Sequence, residues 1–201
     1  MPTPGATPVV MFHLGRSGST VLCDLLGRHP DLTWDKEPFL EVRKKGRSHP
    51  LLRPRPVRWL VSWLPPEDPI SFIRERRRLA RTRFHGIDVK PFHLSRGRLS
   101  LEQFLAETER DGPAPAYVVL ARRNTLRKVV SSLMMRRTGR THLKRTRTEP
   151  LAPLRVDVER LELDGETRPL VDFLAHWDRT LRDLDAALAD RDPLRLCYEE
   201  D

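Results

Sequence analysis

An α/β fold, with a doubly wound and mainly parallel sheet flanked by helices, is what this sequence predicts, and three observations predict it. Short apolar runs alternate with segments of helical period: VVMFHL at Val9–Leu14, HGIDVKPFH at His85–His93, YVVLA at Tyr117–Ala121 and a last run at Leu194–Tyr198. The first run passes through the small-residue loop Gly15–Thr20 (GRSGST) straight into a helix, the arrangement in which backbone amides converge on an anion. A chain of 201 residues has room for one domain with a substantial core and little room for two.

Taken in order, residues 1–8 are a Pro/Gly/Thr leader to the Val9–Leu14 strand. Ser19 or Thr20 can cap the following helix, whose apolar face is Val21, Leu22, Leu25 and Leu26 and which Gly27 and Pro30 end. Residues 41–58 (EVRKKGRSHPLLRPRPVR) are basic, contain Pro and have no clear period, which predicts an exposed connection. Trp59, Leu60, Trp63 and Leu64 make a short apolar patch. Ser71–Phe84 predicts a helix with its Arg cluster on a solvated face, and the strand over His85–His93 is stopped by Pro91.

Ser100 and Gln103 have capping-box spacing, so a helix is expected over Leu101–Arg110, closed by Gly112. After the Tyr117–Ala121 strand, Leu126, Val129, Val130, Leu133 and Met134 recur at helical spacing through Thr125–Thr138, with Gly139 as the stop. A last helix over Leu170–Ala189 rests on Leu170, Phe173, Leu174, Trp177, Leu181, Leu184 and Leu188. No internal repeat is present, and the whole of 1–201 reads as one domain.

The formal net charge is +9, and only six of the 37 basic residues are Lys, so the charge is mostly Arg. Such a chain favours an anionic partner, but the field alone does not separate nucleic acid, membrane, phosphorylated cofactor or sulfated substrate. Nucleic acid is not expected, because aromatic residues are not interleaved with the basic ones as base stacking requires. Two cysteines are too few for a disulfide framework and fit a reducing, cytoplasmic setting. The leader lacks the features of a signal peptide, and no apolar stretch is long enough to span a membrane. Neither His nor Cys falls at metal-ligand spacing, so no metal is expected.

Two groups of residues carry candidate chemistry. In GRSGST, small residues free successive amides for one anion, Arg16 adds a permanent charge, and the hydroxyls of Ser17, Ser19 and Thr20 add donors. The Gly-Lys-Ser/Thr ending that holds a metal-bound triphosphate is missing. The second group is Arg122-Arg123-Asn124 at the end of the YVVLA strand, with Ser131 eight residues after Arg123. At about 100° per residue, Ser131 lies off the Leu126 face and is available to a ligand. Both groups fall at strand carboxyl ends, where open α/β sheets bind ligands.

The pair GRSGSTVL and RRN with its later Ser resembles the two cofactor signatures of sulfotransferases that use 3′-phosphoadenosine 5′-phosphosulfate. HPDLTWDKEPF is similar to the segment that bacterial and tyrosylprotein members place after the loop, HGIDVK to the family's next strand, and CYEED to its later Tyr-Glu-Asp strand. The resemblance implies a P-loop-like nucleotide-kinase fold. It also implies a 5′-phosphosulfate grip by Arg16, Ser17, Gly18, Ser19, Thr20 and Val21, and a 3′-phosphate grip by Arg123 and Ser131. The reaction implied is metal-free, in-line transfer of a sulfuryl group to a hydroxyl acceptor, leaving 3′,5′-bisphosphoadenosine. Arg16 would steady the leaving oxygen and Glu37 in DKEPF would be the base, ionised readily beside Lys36 and near Arg16. His93 is the rival base, and Lys90 is placed to touch the sulfonate.

The acceptor class stays open among glycan, lipid, metabolite and tyrosine. Family members continue beyond the Tyr-Glu-Asp strand, whereas this chain stops at Asp201. A minimal member, a shortened chain, and a homo-oligomer whose partner subunit closes the site are the three readings. Two other functions compete: a nucleotide kinase or ATPase, which the missing Lys-Ser/Thr argues against, and a non-catalytic basic binder of anions or nucleic acid. The Arg76–Arg78 cluster reads as a solvated face, and the run Arg140–Arg147 either does the same or covers the nucleotide or an anionic acceptor.

Overall fold

The computed structural model describes residues 5–39, 68–110, 112–139, 153, 155–163 and 166–200. The basic connection 41–58, the Trp59–Leu64 patch, the first half of the leader and Arg140–Arg147 lie outside the described residues. In chain order the elements are β1 (Thr7–His13), α1 (Ser19–Leu26), β2 (Leu32–Asp35), α2 (Pro69–Leu79), β3 (Phe84–Val89), α3 (Pro91–Arg96) and α4 (Leu101–Glu109). There follow β4 (Ala116–Ala121), α5 (Thr125–Thr138), β5 (Leu161–Leu163), β6 (Glu166–Arg168), α6 (Leu170–Ala187), a 3₁₀ turn at Ala189–Arg191 and β7 (Leu194–Cys197). Five strands form one parallel sheet in the order β2-β3-β1-β4-β7, and β5 and β6 make a separate antiparallel hairpin. The expected α/β class and parallel sheet are therefore present.

Side chains alternate across a strand, so β1 feeds two layers. Val10 and Phe12 join Ile87, Val89, Tyr117 and Val119 under α2, α4 and α6, through Ile70, Phe104, Leu105, Leu184 and Leu188. Met11 faces the other way, against Cys23 of α1 and Leu120 of β4. A third cluster joins Val129 of α5, the β5 leucines and Phe173 and Trp177 of α6, with Leu14 packed on it just beyond the end of β1. The central strand β1 thus lies between β3 and β4, and just beyond its end Leu14 packs on the cluster of α5 and α6.

Several expectations need correction. β2 was not expected; it is four residues long and half-buried at the sheet edge, and Trp34 anchors it by lying on the bare backbone of its register partner Gly86. Any Cβ at Gly86 would collide with that ring. The helix foreseen over Ser71–Phe84 runs instead from Pro69 to Leu79. Asp68 starts it by accepting the amides of Ile70 and Ser71. It stops short because Thr82 is bound sideways: its hydroxyl accepts the Thr33 amide (3.1 Å) and donates to the carbonyl of Phe84 (2.8 Å), committing Phe84 to β3. Pairing of β3 ends at Val89, and Pro91 opens the short helix α3, so His93 is helical and not on the strand.

The inward faces of two helices are also rotated from those expected. Gly18, left-handed at φ 84°, occupies the N-cap of α1 and no side chain caps the helix, so neither Ser19 nor Thr20 has that role. Leu22, Cys23 and Leu26 turn inward, while Val21 and Leu25 are exposed. In α5 the buried pair is Lys128 and Val129, with Leu126 and Val130 exposed, because the β5 hairpin and α6 pack on Val129 and Trp177 receives Lys128 against its ring. The capping box at Ser100 and Gln103 is present in both directions, and Gly139 closes α5 in the left-handed conformation.

Candidate functional site

The loop after β1 is wound by consecutive left-handed residues, Gly15 at φ 77° and Arg16 at φ 52°, with Gly18 at φ 84°. Among the described residues four non-glycines have positive φ, and two of them are Arg16 and Glu37; the others are Arg98 and Asp192. Each such residue costs about 1–3 kcal/mol, strain that collects at functional sites. Ser17 is buried and its hydroxyl donates to the Gly15 carbonyl (3.2 Å), so it closes the loop instead of facing a ligand. Arg16, Gly18, Ser19, Thr20 and Val21 border a cleft of about 120 Å³ together with Arg122, Ser131 and Tyr198.

On the β4 side of β1 the two sequence motifs meet. Arg16 Nε donates to Ser131 Oγ at 2.9 Å, and Arg122 Nη1 donates to the Arg16 carbonyl at 3.0 Å. Burial, with the Arg122 charge adding to it, lowers the pKa of the Arg16 guanidinium. Tyr198 packs against Gly18, and Arg122 lies over its ring at 4.9 Å. Glu199 accepts the amides of Arg123 (2.9 Å) and Asn124 (3.2 Å), which fix the turn into α5. Burial opposes ionisation of this carboxyl, but the two amides outweigh it and lower the pKa. Arg123 itself is 74% exposed and pairs with Glu200, so the cleft wall is made by its neighbour Arg122.

On the β3 side the groups are buried. Asp88 accepts from His13 Nε2 (3.1 Å) through one oxygen and from the Glu37 amide (2.8 Å) through the other, and His13 Nδ1 accepts the Gly15 amide (3.0 Å). Burial pushes the Asp88 carboxyl up, yet His13 and the Glu37 amide outweigh it and hold it below its ordinary value. Glu37 pairs with Lys90, whose stem runs past Gly15 at contact distance from where a Cβ would stand. Lys36, expected beside Glu37, is instead paired with Asp24. The Asp35 carboxyl, opposed by burial, is held well below the usual range by hydrogen bonds from Arg76 (2.9 and 2.5 Å) and His85 (2.9 Å). Arg76 is thus an ion-pair partner, and the expected cluster is not wholly a solvated face.

His93, the rival base, stands on α3 with its ring 4.4 Å from that of Phe92 and 6.5 Å from that of Phe39. Burial, with the Asp88 charge adding, pushes the Cys23 thiol up to about 12, which makes it a packing group. A second and larger cleft, about 250 Å³, opens beyond Leu14 and the start of α3, walled by Pro91, Phe92, Phe173 and Trp177 with Ser95, Glu166, His176 and Thr180 among its lining.

The sequence points to Arg16, Ser131, Glu37 and Lys90 and to the Arg122-Arg123-Asn124 group, and gives no role to His13, Asp88 or Tyr198. A usable signal existed for two of them: a His and an Asp stand at the carboxyl ends of otherwise apolar strands that a parallel sheet sets side by side. Among the described residues no group of three or more His, Cys, Asp or Glu could hold a metal, and no helix is long and apolar enough to cross a membrane. No protein-family model matches the chain, and no curated protein matches its sequence.

Proposed function

We propose that this protein is a sulfotransferase that moves a sulfuryl group from 3′-phosphoadenosine 5′-phosphosulfate to a hydroxyl acceptor, on a P-loop-like nucleotide-kinase fold. The observation that carries the reading is the hydrogen bond between Arg16 and Ser131, 115 residues apart. The two motifs on which the resemblance rests, one at each end of that bond, share one cleft. The strand order, with β1 central between β3 and β4, supports it too, since the loops at its carboxyl end form a crevice there.

The residues suit a donor with two separated phosphates. The loop Gly15–Thr20 and the first turn of α1 offer amides and hydroxyls to one, and Ser131 with Arg122 or Arg123 offers charge to the other. Bound there, the donor supplies an activated sulfuryl group; the protein must position, neutralise and deprotonate. Glu37 takes the acceptor proton as the acceptor oxygen bonds to sulfur and the bridging oxygen departs with its electron pair. Lys90, held on Glu37, and Arg16 supply positive charge around the centre. The cleft walled by Phe92, Phe173 and Trp177 borders Leu14 and Pro91, so it adjoins both the loop and Lys90, and is the place for the acceptor.

Thermal unfolding tests the reading. Stabilisation by 3′,5′-bisphosphoadenosine without metal, and none by ATP with magnesium, is expected; stabilisation by ATP with magnesium alone sinks it and favours a kinase or ATPase.

A further inference from the structure

His13 and Asp88 lie beneath the candidate machinery and touch both of its halves. We infer that they are positioning residues, a buried strut that fixes the phosphate loop and the Glu37 segment relative to each other. Its catalytic consequence rests on the sulfuryl-transfer reading, while the coupling itself rests only on geometry.

The bond directions admit one polarity. A backbone amide can only donate, so the Gly15 amide requires His13 Nδ1 to accept, which puts the ring proton on Nε2, facing Asp88. Asp88 must accept at both oxygens, once from that ring and once from the Glu37 amide, and it does so as a carboxylate. The imidazole is 0% exposed and the carboxylate 3%, so water cannot substitute for either partner. At each end of the strut stands a residue with left-handed backbone, Gly15 and Glu37. For Glu37 this is a strained conformation, held in place by the bond its own amide makes to Asp88. Replacing a buried charged pair by packed apolar residues is often neutral or stabilising, so net stability alone does not account for one here. A role in setting the distance between the leaving-group loop and the base does.

The test is to break one end and read the other. In the cofactor-free protein, ring nitrogen resonances of His13 should show a neutral imidazole protonated on Nε2 near neutral pH. His13→Leu should speed hydrogen exchange of the Glu37 amide, and Asp88→Asn that of the Gly15 amide, each by about tenfold, the loss of one hydrogen bond to a charged group. His13→Gln, which keeps one acceptor and one donor, should restore most of the protection that His13→Leu removes. With sulfate release from 3′-phosphoadenosine 5′-phosphosulfate to water as the activity probe, Asp88→Asn should lower kcat on the order of 10²-fold while binding of 3′,5′-bisphosphoadenosine holds. A proton on Nδ1, exchange changes confined to the mutated end, or equal loss in Gln and Leu variants would overturn the strut. Absence of any bisphosphoadenosine binding in the unmodified protein would sink the sulfotransferase reading instead and leave the resonance and exchange results standing.

Discussion

On the β3 side of β1 the polar groups are buried and bonded in series through His13, Asp88 and Glu37, whereas on the β4 side Arg123, Glu199 and Glu200 hold one another at the surface. The first arrangement is pre-organised: moving Glu37 means breaking bonds that water cannot replace. The second is exchangeable, because an exposed ion pair such as Arg123 with Glu200 is worth only about 0–1 kcal/mol and an arriving phosphate can take the place of the carboxylate. The contrast fits the proposed function, in which the reacting atoms would be set tightly while a nucleotide enters and leaves. On the proposed function, Arg123 would exchange Glu200 for the arriving phosphate.

That contrast can be broken first at its most rigid point. Glu37→Gln should retain bisphosphoadenosine binding and lose transfer by about 10²- to 10⁴-fold, the usual contribution of a general base. Unimpaired transfer would move the role to His93. A smaller effect is expected at the exchangeable side, where Arg123→Ala should weaken bisphosphoadenosine binding by about tenfold or more, the scale of a charged hydrogen bond, and leave binding of 5′-AMP unchanged. Calorimetric titration reads both.

Smaller again is Asp35→Asn, which strips Arg76 and His85 of their carboxylate and should cost about 1.5–3 kcal/mol at neutral pH by denaturant unfolding. Because the folded Asp35 carboxyl lies below its ordinary value, its contribution is present above the ordinary carboxylate range and is lost as pH falls through that range toward the folded value. The gap between Asp35→Asn and the unmodified protein should therefore close as the solution is acidified. Smallest of all, Glu200→Ala should change stability by less than about 1 kcal/mol and tighten bisphosphoadenosine binding, because Arg123 no longer has a competing partner.

The parallel sheet and the small-residue turn after β1 were legible because their signals are local: apolar runs, small residues at a strand end, and caps such as Ser100 with Gln103. What was not legible depends on neighbours distant in sequence. Trp34 makes β2 only because Gly86 offers it a bare backbone on the next strand. Val129 and Lys128, and not Leu126 and Val130, face inward on α5 because the β5 hairpin and Trp177 stand there. His13 and Asp88 read as isolated polar residues until the register of β1 and β3 sets their strand ends side by side. Arg122 and Arg123 are one residue apart, so motif spacing alone cannot say which of them turns toward Ser131.

A metal-free grip on two phosphates would show most directly in calorimetric titration of 3′,5′-bisphosphoadenosine, 5′-AMP and 3′-AMP in the presence of a chelator. The bisphosphate should bind at least about tenfold tighter than either monophosphate, and Arg123→Ala should reduce it to the level of 5′-AMP. Equal binding of the bisphosphate and 5′-AMP by the unmodified protein would contradict it.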